Sequence, residues 1–386
     1  MVTNTDELAS ICDEFSNHPY VTIDIEFLRE TTFWPILCLI QMASSNEAVI
    51  IDPMEKRLSL EPFFKLMVNK RVVKVFHGAR QDIEIIYHQG DLIPTPLFDT
   101  QIAAMVCGYG DSIAYNQLVS KITNIEIDKS SRITDWFQRP LSQKQLDYAL
   151  ADVTYLRQIY ESLKDDLEKN QREDWIEEEI AILKSPKTYD LPIEQAWTRL
   201  KMRVHNPLDF AIMKQVAAWR EREARQRNIP RRQVIPDKAI YEIAQKHPQN
   251  KNDLTRLRAV SKWVEQSQRS CPDSLDRLLK AIIDAEEICH GKGLEFRLPS
   301  RPTGRKGAET ELLRLLLKIV SEASGVASKL IATMDDLEKI AEKEDANVAA
   351  LSGWRYEIFG KSALELKRGE ISIGFEDQKI KIMKLG

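Results

Sequence analysis

Two carboxylates lie close together in an otherwise apolar segment near the start of the chain. Asp24 and Glu26 stand in VTIDIEFLRETTFWPILCLIQM, residues 21–42, where the surrounding residue types are those of a β-strand. Because alternate side chains of a strand lie on one face, the two acids point the same way and can converge on one point. Two interpretations of this pair alone stay open: a solvated strand face, or a site that holds a cation.

A third acid lies on a predicted helix. The segment VVKVFHGARQDIEIIYH, residues 72–88, is typical of a buried strand, a turn at Gly78 and a short helix. On that helix Asp82 shares a face with Ile85 and Ile86, so its side chain should point back toward the sheet. Taken alone, Asp82 is also the kind of residue that the helix dipole favours in a first helical turn.

A tyrosine and a fourth acid are paired on a second predicted helix. The segment QLDYALADVTYL, residues 145–156, places Tyr148 and Asp152 four positions apart, and therefore on one side of the helix. Asp147 is displaced by one position and is predicted to take no part. The alternative for Tyr148 is an aromatic side chain at a contact between helix and sheet.

Together the four acids form a set of hard oxygen ligands on three elements: Asp24, Glu26, Asp82 and Asp152. Carboxylates suit Mg²⁺ or Mn²⁺, which also bind substrate phosphates. Two such ions about 3.5–4 Å apart can stabilise both the attacking and the leaving oxygen of a phosphoryl displacement. The sequence therefore predicts two divalent cations, Mg²⁺ or Mn²⁺, held by these four residues.

The elements that must position the acids follow an α/β pattern. Strand-like runs occupy residues 20–27, 35–42, 47–51 and 71–76, and helix-like segments occupy 59–69, 80–88, 100–107 and 142–163. Strands interspersed with helices indicate an α/β layer fold. Beyond residue 163 strand signals almost vanish, and a charged helix is predicted over 163–184.

Four regions are predicted along the chain. They are an α/β domain with a trailing linker helix over 1–192, a helical domain over 193–290, a linker rich in Gly, Pro and basic residues over 291–307, and a second helical domain with a C-terminal tail over 308–386. RRQVIPDKAIYEIAQ (231–245) and ASKLIATMDDLEKIAE (327–342) are similar, which indicates a duplicated small helical domain.

Charge is unevenly distributed between these regions. Residues 1–193 carry 31 acids and 19 Lys or Arg, whereas residues 194–290 carry 13 acids and 19 Lys or Arg. Residues 291–386 have 15 acids and 17 Lys or Arg, and the whole chain has a formal net charge of −4. An acidic first region beside a basic middle region indicates that the basic part binds a polyanion, although ordinary variation between domains is the alternative.

The motifs as a group resemble the bacterial ribonuclease D family, in the tyrosine-bearing branch of the DEDD superfamily of 3′-5′ exonucleases. The resemblance rests on IDIEFLRETTFWPILCLIQM, FHGARQDIEII, LFDTQIAAMVCGYG and DKSSRITDWFQRPLSQKQLDYALADVTYL, and it covers about residues 1–370. The two helical repeats resemble the helicase-and-RNase-D C-terminal (HRDC) domain. Ile25 is one departure, because the family often has threonine between the first two acids.

This resemblance implies the fold and the activity. The expected fold is an α/β ribonuclease-H-like exonuclease domain, with a mixed central sheet flanked by helices, followed by two small all-α helical-bundle domains. The expected activity is a metal-dependent 3′-5′ exoribonuclease that releases 5′-mononucleotides, in the 3′ maturation of tRNA precursors and other small structured RNAs. A 3′-5′ DNA exonuclease and a non-catalytic RNA-binding scaffold are the rival interpretations, because nothing in the sequence identifies a group that reads the 2′-hydroxyl.

Roles for the site residues also follow from the resemblance. Asp24, Glu26 and Asp152 would hold the metal that carries the attacking water, Asp24 would also contact the second metal, and Asp82 would act through water on that second ion. Tyr148 would hydrogen-bond the attacking water. A phenol with an ordinary pKa of about 10 is a poor base at neutral pH, so orientation is its expected role.

Residues that contact RNA are predicted in two segments and at one histidine. KSSRITDWFQRP, residues 129–140, offers Lys129, Arg132, Trp136 and Arg139 for phosphate and base contacts. The basic helix ending WREREARQRNIPRR offers Arg220, Arg225, Arg231 and Arg232 for the phosphate backbone, with a solvated helix face as the alternative. His77 is a candidate for the terminal nucleotide, or equally a structural hydrogen-bonding residue.

Several classes of protein are excluded by what the sequence lacks. Its apolar runs fall well short of the roughly 20 residues that span a bilayer, which predicts no membrane partner. The five cysteines form no Cys-x-x-Cys pair, which argues against a disulfide framework or a zinc site. FGKS (359–362) has Arg355 where a phosphate-binding loop requires glycine, so no NTP site is predicted. The N-terminus lacks a signal-peptide pattern. These exclusions predict a cytoplasmic protein; the resemblance implies that its partner is RNA with a single-stranded 3′ end, and a monomer is expected.

Overall fold

The computed structural model describes residues 1–128, 134–201, 204, 206–291 and 307–385. These residues divide into two compact units. The first unit contains Met1–Glu26, Cys38–Ser185 and the described residues from 307 onward. The second unit contains Phe27–Leu37 and the described residues between 186 and 291.

A five-stranded mixed sheet organises the N-terminal part of the chain. Its strands are β1 (Tyr20–Leu28), β2 (Ile36–Ala43), β3 (Ala48–Ile51), β4 (Val73–Phe76) and β5 (Leu97–Asp99), in the order β3-β2-β1-β4-β5. Strand β4 pairs in parallel with both β1 and β5, and β2 pairs antiparallel with β3. The four strands predicted from the sequence are present. Strand β5 was missed, since three residues are too few to show a periodic pattern.

Seven helices accompany this sheet in the described part of the first 185 residues. They are α1 (Thr5–Phe15), α2 (Glu61–Met67), α3 (Arg80–Gly90), α4 (Thr100–Val106), α5 (Tyr115–Thr123), α6 (Gln143–Lys169) and α7 (Glu173–Leu183). Helices α1 and α5 were not predicted. The prediction of one charged helix over 163–184 is wrong, because α6 continues to Lys169 and α7 begins only at Glu173. Between them Gln171 adopts a φ of 54°, which no α-helix can accommodate.

The apolar stripe of α6 packs on the sheet as its sequence pattern predicts. Ala149, Val153 and Leu156 are buried on this face. At the centre of the contact the hydroxyl of Thr22, on β1, donates a 2.8 Å hydrogen bond to the carbonyl oxygen of Val153. This bond fixes the residue that follows Asp152 against the strand that carries Asp24.

The second unit is built around a long helix. Its helices are α8 (Pro207–Arg227), α9 (Arg231–Val234), α10 (Asp237–Lys246), α11 (Lys251–Thr255), α12 (Ser261–Ser270) and α13 (Pro272–Gly291), with 3₁₀ turns at Pro186–Thr188 and Ile193–Arg199. A continuous apolar core includes Ile212, Val216, Ile240 and Leu278. Phe33 belongs to the same core.

The C-terminal residues of the first unit repeat part of this helical order. They form α14 (Ala308–Ser324), α15 (Ser328–Ile331), α16 (Met334–Glu342), a 3₁₀ turn at Ala349–Leu351, α17 (Gly353–Arg355), a π-helical turn at Tyr356–Gly360 and α18 (Lys361–Arg368). As in α8, α9 and α10, a long helix precedes a four-residue helix and a helix of about ten residues. Ile235 and Ile331 are buried at matching places in the two copies.

The chain ends in a β-hairpin, a structure that the prediction of an all-helical second domain with a tail did not include. Strand β6 (Ile371–Glu376) pairs antiparallel with β7 (Lys379–Lys384). Asp377 and Gln378 form the turn with positive φ values of 51° and 63°, as in the tight turns of hairpins. The predicted fold class, a mixed sheet flanked by helices followed by helical blocks, is otherwise confirmed. Among the described residues, no helix has the length and apolar character needed to span a membrane.

Candidate active site

Three of the four predicted acids meet at the contact between β1 and α6. Asp24 and Glu26 extend from β1 and Asp152 from α6, and each offers a carboxylate oxygen within 4.8 Å of the others. Ile23 and Ile25, which alternate with the acids, are 1% and 4% exposed on the opposite face of the strand. The convergence that alternation predicted is therefore present, and its third member comes from a helix 126 residues further along the chain.

The fourth acid comes from the first turn of α3. Asp82 is 8% exposed and lies close enough to Asp24 for the two charges to interact. The turn before α3 is held by Asp99, whose carboxylate accepts hydrogen bonds from the N–H groups of Gly78 (3.0 Å) and Ala79 (2.8 Å). Gly78 has a φ of +73°, a conformation that favours glycine.

Asp99 was missed by the sequence analysis. Its carboxylate also caps α4 by accepting from the N–H groups of Gln101 and Ile102. An Asp immediately before a helical segment is a recognisable N-cap signal, visible in LFDTQIAAM. The second set of bonds, to the turn before α3, joins residues that are 20 positions apart and has no local signature.

The acids repel one another in a desolvated site. Burial raises the pKa of Asp24 to about 6. Burial, with the charges of Asp24, Asp152 and Asp82, raises the pKa of Glu26 to about 10. The pKa of Asp82 is also raised well above its ordinary value, mainly by burial and then by Asp24 and Asp99. Such a cluster requires either protons or cations to neutralise it.

This donor set fits divalent cations. Asp24, Glu26 and Asp152 line a cavity of about 590 Å³, and none of the described residues that line it is a Lys or an Arg. Oxygen-only ligands of high charge density are those that Mg²⁺ and Mn²⁺ prefer. These three acids can share one ion because their oxygens already converge. Asp82 lies outside the cavity lining, and its charge interacts with that of Asp24.

Tyr148 lies at the same site and remains a phenol. Its hydroxyl is hydrogen-bonded to Asp152. Burial raises the pKa of Tyr148 above its ordinary value, and the charges of Asp152, Glu26 and Asp24 raise it further. Since the phenolate form is disfavoured at every physiological pH, Tyr148 can orient a polar partner but cannot serve as a base.

A second tyrosine at the site was not found from the sequence. Tyr115, on α5, lines the cavity, and its hydroxyl donates a 2.9 Å hydrogen bond to the carbonyl oxygen of Ala151. Burial, followed by the charges of Asp152 and Asp24, raises the pKa of Tyr115 well above its ordinary value. The bond ties α5 to the residue before Asp152. Because α5 was not predicted, Tyr115 had no element on which to be placed.

His77 lines the cavity, but its ring is used inside the protein. Nδ1 lies 3.0 Å from the hydroxyl of Thr100, and Nε2 lies 3.2 Å from the carbonyl oxygen of Ile113. Burial lowers the pKa of His77 in spite of the nearby Asp99. This arrangement agrees with the structural alternative, in which His77 holds the segment before α5, rather than with a contact to the terminal nucleotide.

The structure corrects the predictions for Trp136 and Arg139. Trp136 is 4% exposed and its ring centroid lies 6.2 Å from that of Tyr148, so no face is available to stack on a base. Arg139 donates to both oxygens of the buried Asp52 at 2.6 and 2.8 Å, and to the carbonyl oxygens of Cys38 and Trp136. Its guanidinium is a structural ion-pair partner. Lys129 and Arg132 lie outside the described residues.

Three of the four predicted RNA-binding arginines are also structural. Arg220 is 5% exposed and pairs with Asp237. Arg225 pairs with Glu221 and Asp190, and Arg231 pairs with Glu221. The prediction of a phosphate-binding patch is corrected for these residues, because their donors are already bound to carboxylates of the same unit. Arg232 is exposed on α9 and stays a candidate.

Arg225 and Arg231, which both pair with Glu221 and are called the arginine cluster below, hold the segment that follows β1 in sequence. The guanidinium of Arg231 lies 4.4 Å from the ring centroid of Phe33. The N–H groups of Phe33 and Trp34 donate to Oδ1 of Asn228 at 3.1 and 3.0 Å. Asn228 ends α8 in a left-handed conformation, with a φ of 47°. These contacts, all within the second unit, give Arg231 and Asn228 structural roles.

Comparisons with known proteins agree with this geometry. A family model described as "3'-5' exonuclease" matches residues 1–168, and one described as "HRDC domain" matches residues 209–268. The chain is 50% identical to the ribonuclease D of Nitrobacter hamburgensis over 98% of each chain. It is 49% identical to the ribonuclease D of Bartonella henselae over its full length and 94% of that protein. Its structure is similar to that of Escherichia coli RNase D, which is described as an exoribonuclease involved in structured RNA processing. The TM-score is 0.80 and the sequence identity is 25%, and the match covers 95% of this chain and 98% of the other.

Proposed function

Since the chain belongs to the ribonuclease D family and is a 3′-5′ exoribonuclease, we propose that it acts with two divalent cations, Mg²⁺ or Mn²⁺, held by Asp24, Glu26, Asp82 and Asp152. One observation carries this proposal. Three carboxylates from β1 and α6 converge within 4.8 Å in a cavity whose described lining has no Lys or Arg to neutralise them. Cations are the partners that such a cluster lacks.

Each acid has a separate part in this proposal. Asp24, Glu26 and Asp152 would hold the first cation through their converging oxygens, and Asp24, with Asp82 acting through water, would hold the second. When bound, the two ions would supply a lowered pKa for the attacking water and neutralise charge that develops on the phosphate. The partial burial of the acids would strengthen these interactions.

Tyr148 positions the attacking water. Its hydroxyl donates to Asp152, which leaves the phenol oxygen able to accept a hydrogen bond from a water beside the acids. A water held by both Tyr148 and a carboxylate has one fixed orientation toward the phosphorus atom. Orientation of this kind contributes to the rate without any transfer of a proton to the tyrosine.

We expect Tyr148→Phe to reduce kcat by roughly 10- to 100-fold, the range for a misoriented reactant. Cation affinity should change little, because the four carboxylates remain. The pH dependence of kcat should keep its shape in the variant, since the raised pKa of Tyr148 leaves it protonated throughout the accessible range. Tyr160→Phe, on the same helix but with its ring packed against Tyr20 and Phe98 rather than in the cavity lining, is the matched control. Loss of an alkaline or acidic limb from the pH profile of Tyr148→Phe would contradict the orienting role.

The proposed substrate is a structured RNA with a single-stranded 3′ end, such as a tRNA precursor. Support comes from the E. coli neighbour, which is described as acting in structured RNA processing. We further propose that the protein acts as a monomer and that it is cytoplasmic, in agreement with its five cysteines, none of which forms a disulfide. In this proposal residues 1–192 form the catalytic domain, residues 193–290 the first HRDC domain, and residues 308–386 a second HRDC-like domain, on either side of a linker over 291–307.

The substrate proposal is tested with matched nucleic acids. We expect Mg²⁺ or Mn²⁺ to support release of 5′-mononucleotides from the 3′ end of a tRNA precursor with a single-stranded tail, and EDTA to abolish it. DNA of the tail sequence should be degraded more slowly than the corresponding RNA. Equal or faster degradation of DNA would favour the DNA-exonuclease rival, and absence of release with either ion would favour the non-catalytic scaffold.

A further inference from the structure

A second cavity opens beside the acidic one. It has a volume of about 680 Å³ and shares Ser112, Asn116 and Ile127 with the active-site cavity, so the two are adjacent. It lies along α5 and the segment before that helix, entirely within the first unit. The established activity requires a chain of nucleotides to extend away from the acids, and this space adjoins the cavity that contains them.

The two cavities differ in charge. Three carboxylates line the first, from Asp24, Glu26 and Asp152, and no Lys or Arg lines its described part. The second is lined by Lys121 together with Asp111 and Glu126, and its remaining polar side chains include uncharged hydroxyls and amides. Among the described residues that line the two cavities, Lys121 is therefore the basic one that a polyanion at the acids could reach.

A second lysine stands at the rim of this cavity. Lys329, in α15, donates its backbone N–H to Oδ1 of Asp111 at 3.3 Å, and its ammonium lies 3.4 Å from the hydroxyl oxygen of Ser112. Both of these partners line the second cavity. Lys329 comes from the C-terminal helical block, which thus reaches the space next to the active site.

The position of Lys329 is fixed by the backbone around it. The N–H of Ala327 donates to the carbonyl oxygen of Met105 at 2.9 Å. Arg172 bridges the same two segments by donating to the carbonyl oxygens of Val106 (3.0 Å) and Ser324 (2.8 Å). These bonds dock the start of α15 on the end of α4, ahead of the segment that lines both cavities.

The ammonium groups of these lysines are available, unlike the guanidinium groups of the arginine cluster. Lys121 and Lys329 are both exposed. Within the described part of the chain, neither has a carboxylate oxygen within 4.0 Å of its Nζ, whereas Arg225 and Arg231 are both bound to Glu221. A cation that no carboxylate neutralises, beside a cavity that leads to the active site, is suited to a phosphate.

We propose that the second cavity binds the nucleotides immediately upstream of the 3′-terminal one, and that Lys121 and Lys329 contact their phosphates. This inference rests on the proposed function, since it assigns the path of the same RNA. It makes the C-terminal helical block a direct contributor to substrate binding. Since contacts to phosphates carry no information about base sequence, binding in this cavity should not depend on sequence.

The test measures kcat and KM for RNAs of different lengths. It compares wild type with Lys121→Ala, Lys329→Ala and the double variant. We expect the double variant to raise KM by about tenfold for RNAs of five or more nucleotides, with kcat within about twofold of wild type. KM for a dinucleotide with a 5′-hydroxyl should change least, because its single phosphate is the scissile one. The slope of log(kcat/KM) against log salt should fall in magnitude by about 0.7 for each lysine removed, or about 1.4 in the double variant.

Two further variants separate phosphate binding from a structural effect. Lys318→Ala removes an exposed lysine from the same helical block and should leave every KM unchanged. Lys121→Arg keeps the positive charge, and its KM for long RNA should be closer to that of wild type than to that of Lys121→Ala. An unchanged KM for long RNA in the double variant would overturn the proposal, and so would an equal rise in KM for dinucleotide and long RNA.

Binding in Ca²⁺ keeps this test independent of catalysis. The affinity of wild type and double variant for a ten-nucleotide RNA, measured by fluorescence anisotropy, should differ by the same factor of about ten. A wild type that releases no nucleotide with Mg²⁺ or Mn²⁺ would contradict the proposed function, whereas equal affinities in Ca²⁺ would contradict the assignment of the second cavity.

Discussion

Replacement of Asp152 by Asn should reduce kcat by about 1,000-fold or more while leaving the protein folded. Asp152 supplies one of the three converging carboxylates and also accepts the hydrogen bond of Tyr148. The substitution removes a negative charge from the proposed cation site and alters the partner of the water-orienting tyrosine. A metal ion contributes several kcal/mol to the stabilisation of developing charge, and each 1.36 kcal/mol corresponds to a factor of ten in rate.

The chain provides a matched control for this variant on the same helix. Asp147 is exposed, and its carboxylate accepts a 2.8 Å hydrogen bond from Gln143, away from the cavity. Asp147→Asn should keep kcat within about twofold of wild type. Initial rates of mononucleotide release, with Mn²⁺ titrated to saturation, compare the two variants. Comparable activity of Asp152→Asn and wild type at saturating Mn²⁺ would refute the assignment of Asp152.

Glu26→Gln should abolish activity and yet stabilise the metal-free protein at neutral pH. The pKa of Glu26 is raised to about 10 by burial and by the three neighbouring acids, from an ordinary value of 4.5. The protonated acid is therefore favoured in the folded state, and the unfolded chain loses its proton at much lower pH. The stabilising contribution of the neutral form is complete below about pH 4.5 and is lost as the pH rises toward 10. Glutamine is neutral at every pH and keeps this contribution.

Thermal unfolding in EDTA measures this effect. At pH 8 we expect the free energy of unfolding of the Glu26→Gln variant to exceed that of wild type by about 1 kcal/mol or more, which is typical when repulsion at a functional site is relieved. At pH 5 the difference in free energy of unfolding should be smaller. Added Mn²⁺ should raise the Tm of wild type more than that of the variant, since ligand binding to the folded state stabilises it. A variant less stable than wild type at pH 8 in EDTA would show that the carboxylates do not strain the metal-free fold.

Local patterns predicted the parts of the site that depend on a single element. Alternation placed Asp24 and Glu26 on one face of β1, and helical spacing placed Tyr148 beside Asp152. Both depend on backbone periodicity, which each segment carries by itself. Residues outside a periodic pattern were missed, as with Asp99, whose bonds to the turn before α3 connect distant positions.

The predictions that failed concerned the role of basic residues. A basic run in a sequence does not reveal whether its charges are already paired, because the carboxylates that pair with them come from elsewhere in the chain. Glu221, Asp237 and Asp190 bind the predicted RNA-contacting arginines, and Asp52 binds Arg139 across 87 positions. In contrast Lys121 and Lys329 carry no sequence signal, and 208 positions separate them.

The sequence by itself identified the four acids and the tyrosine that we propose to be catalytic, and it predicted the α/β and helical organisation, because residue type and backbone period encode these features locally. Only the tertiary structure decided whether the polar face of VTIDIEF meets water or a buried site, and which basic groups stay available for RNA. Both outcomes depend on which side chains, distant in sequence, lie together in the folded protein. They also depend on how much burial raises the energy of each charged group.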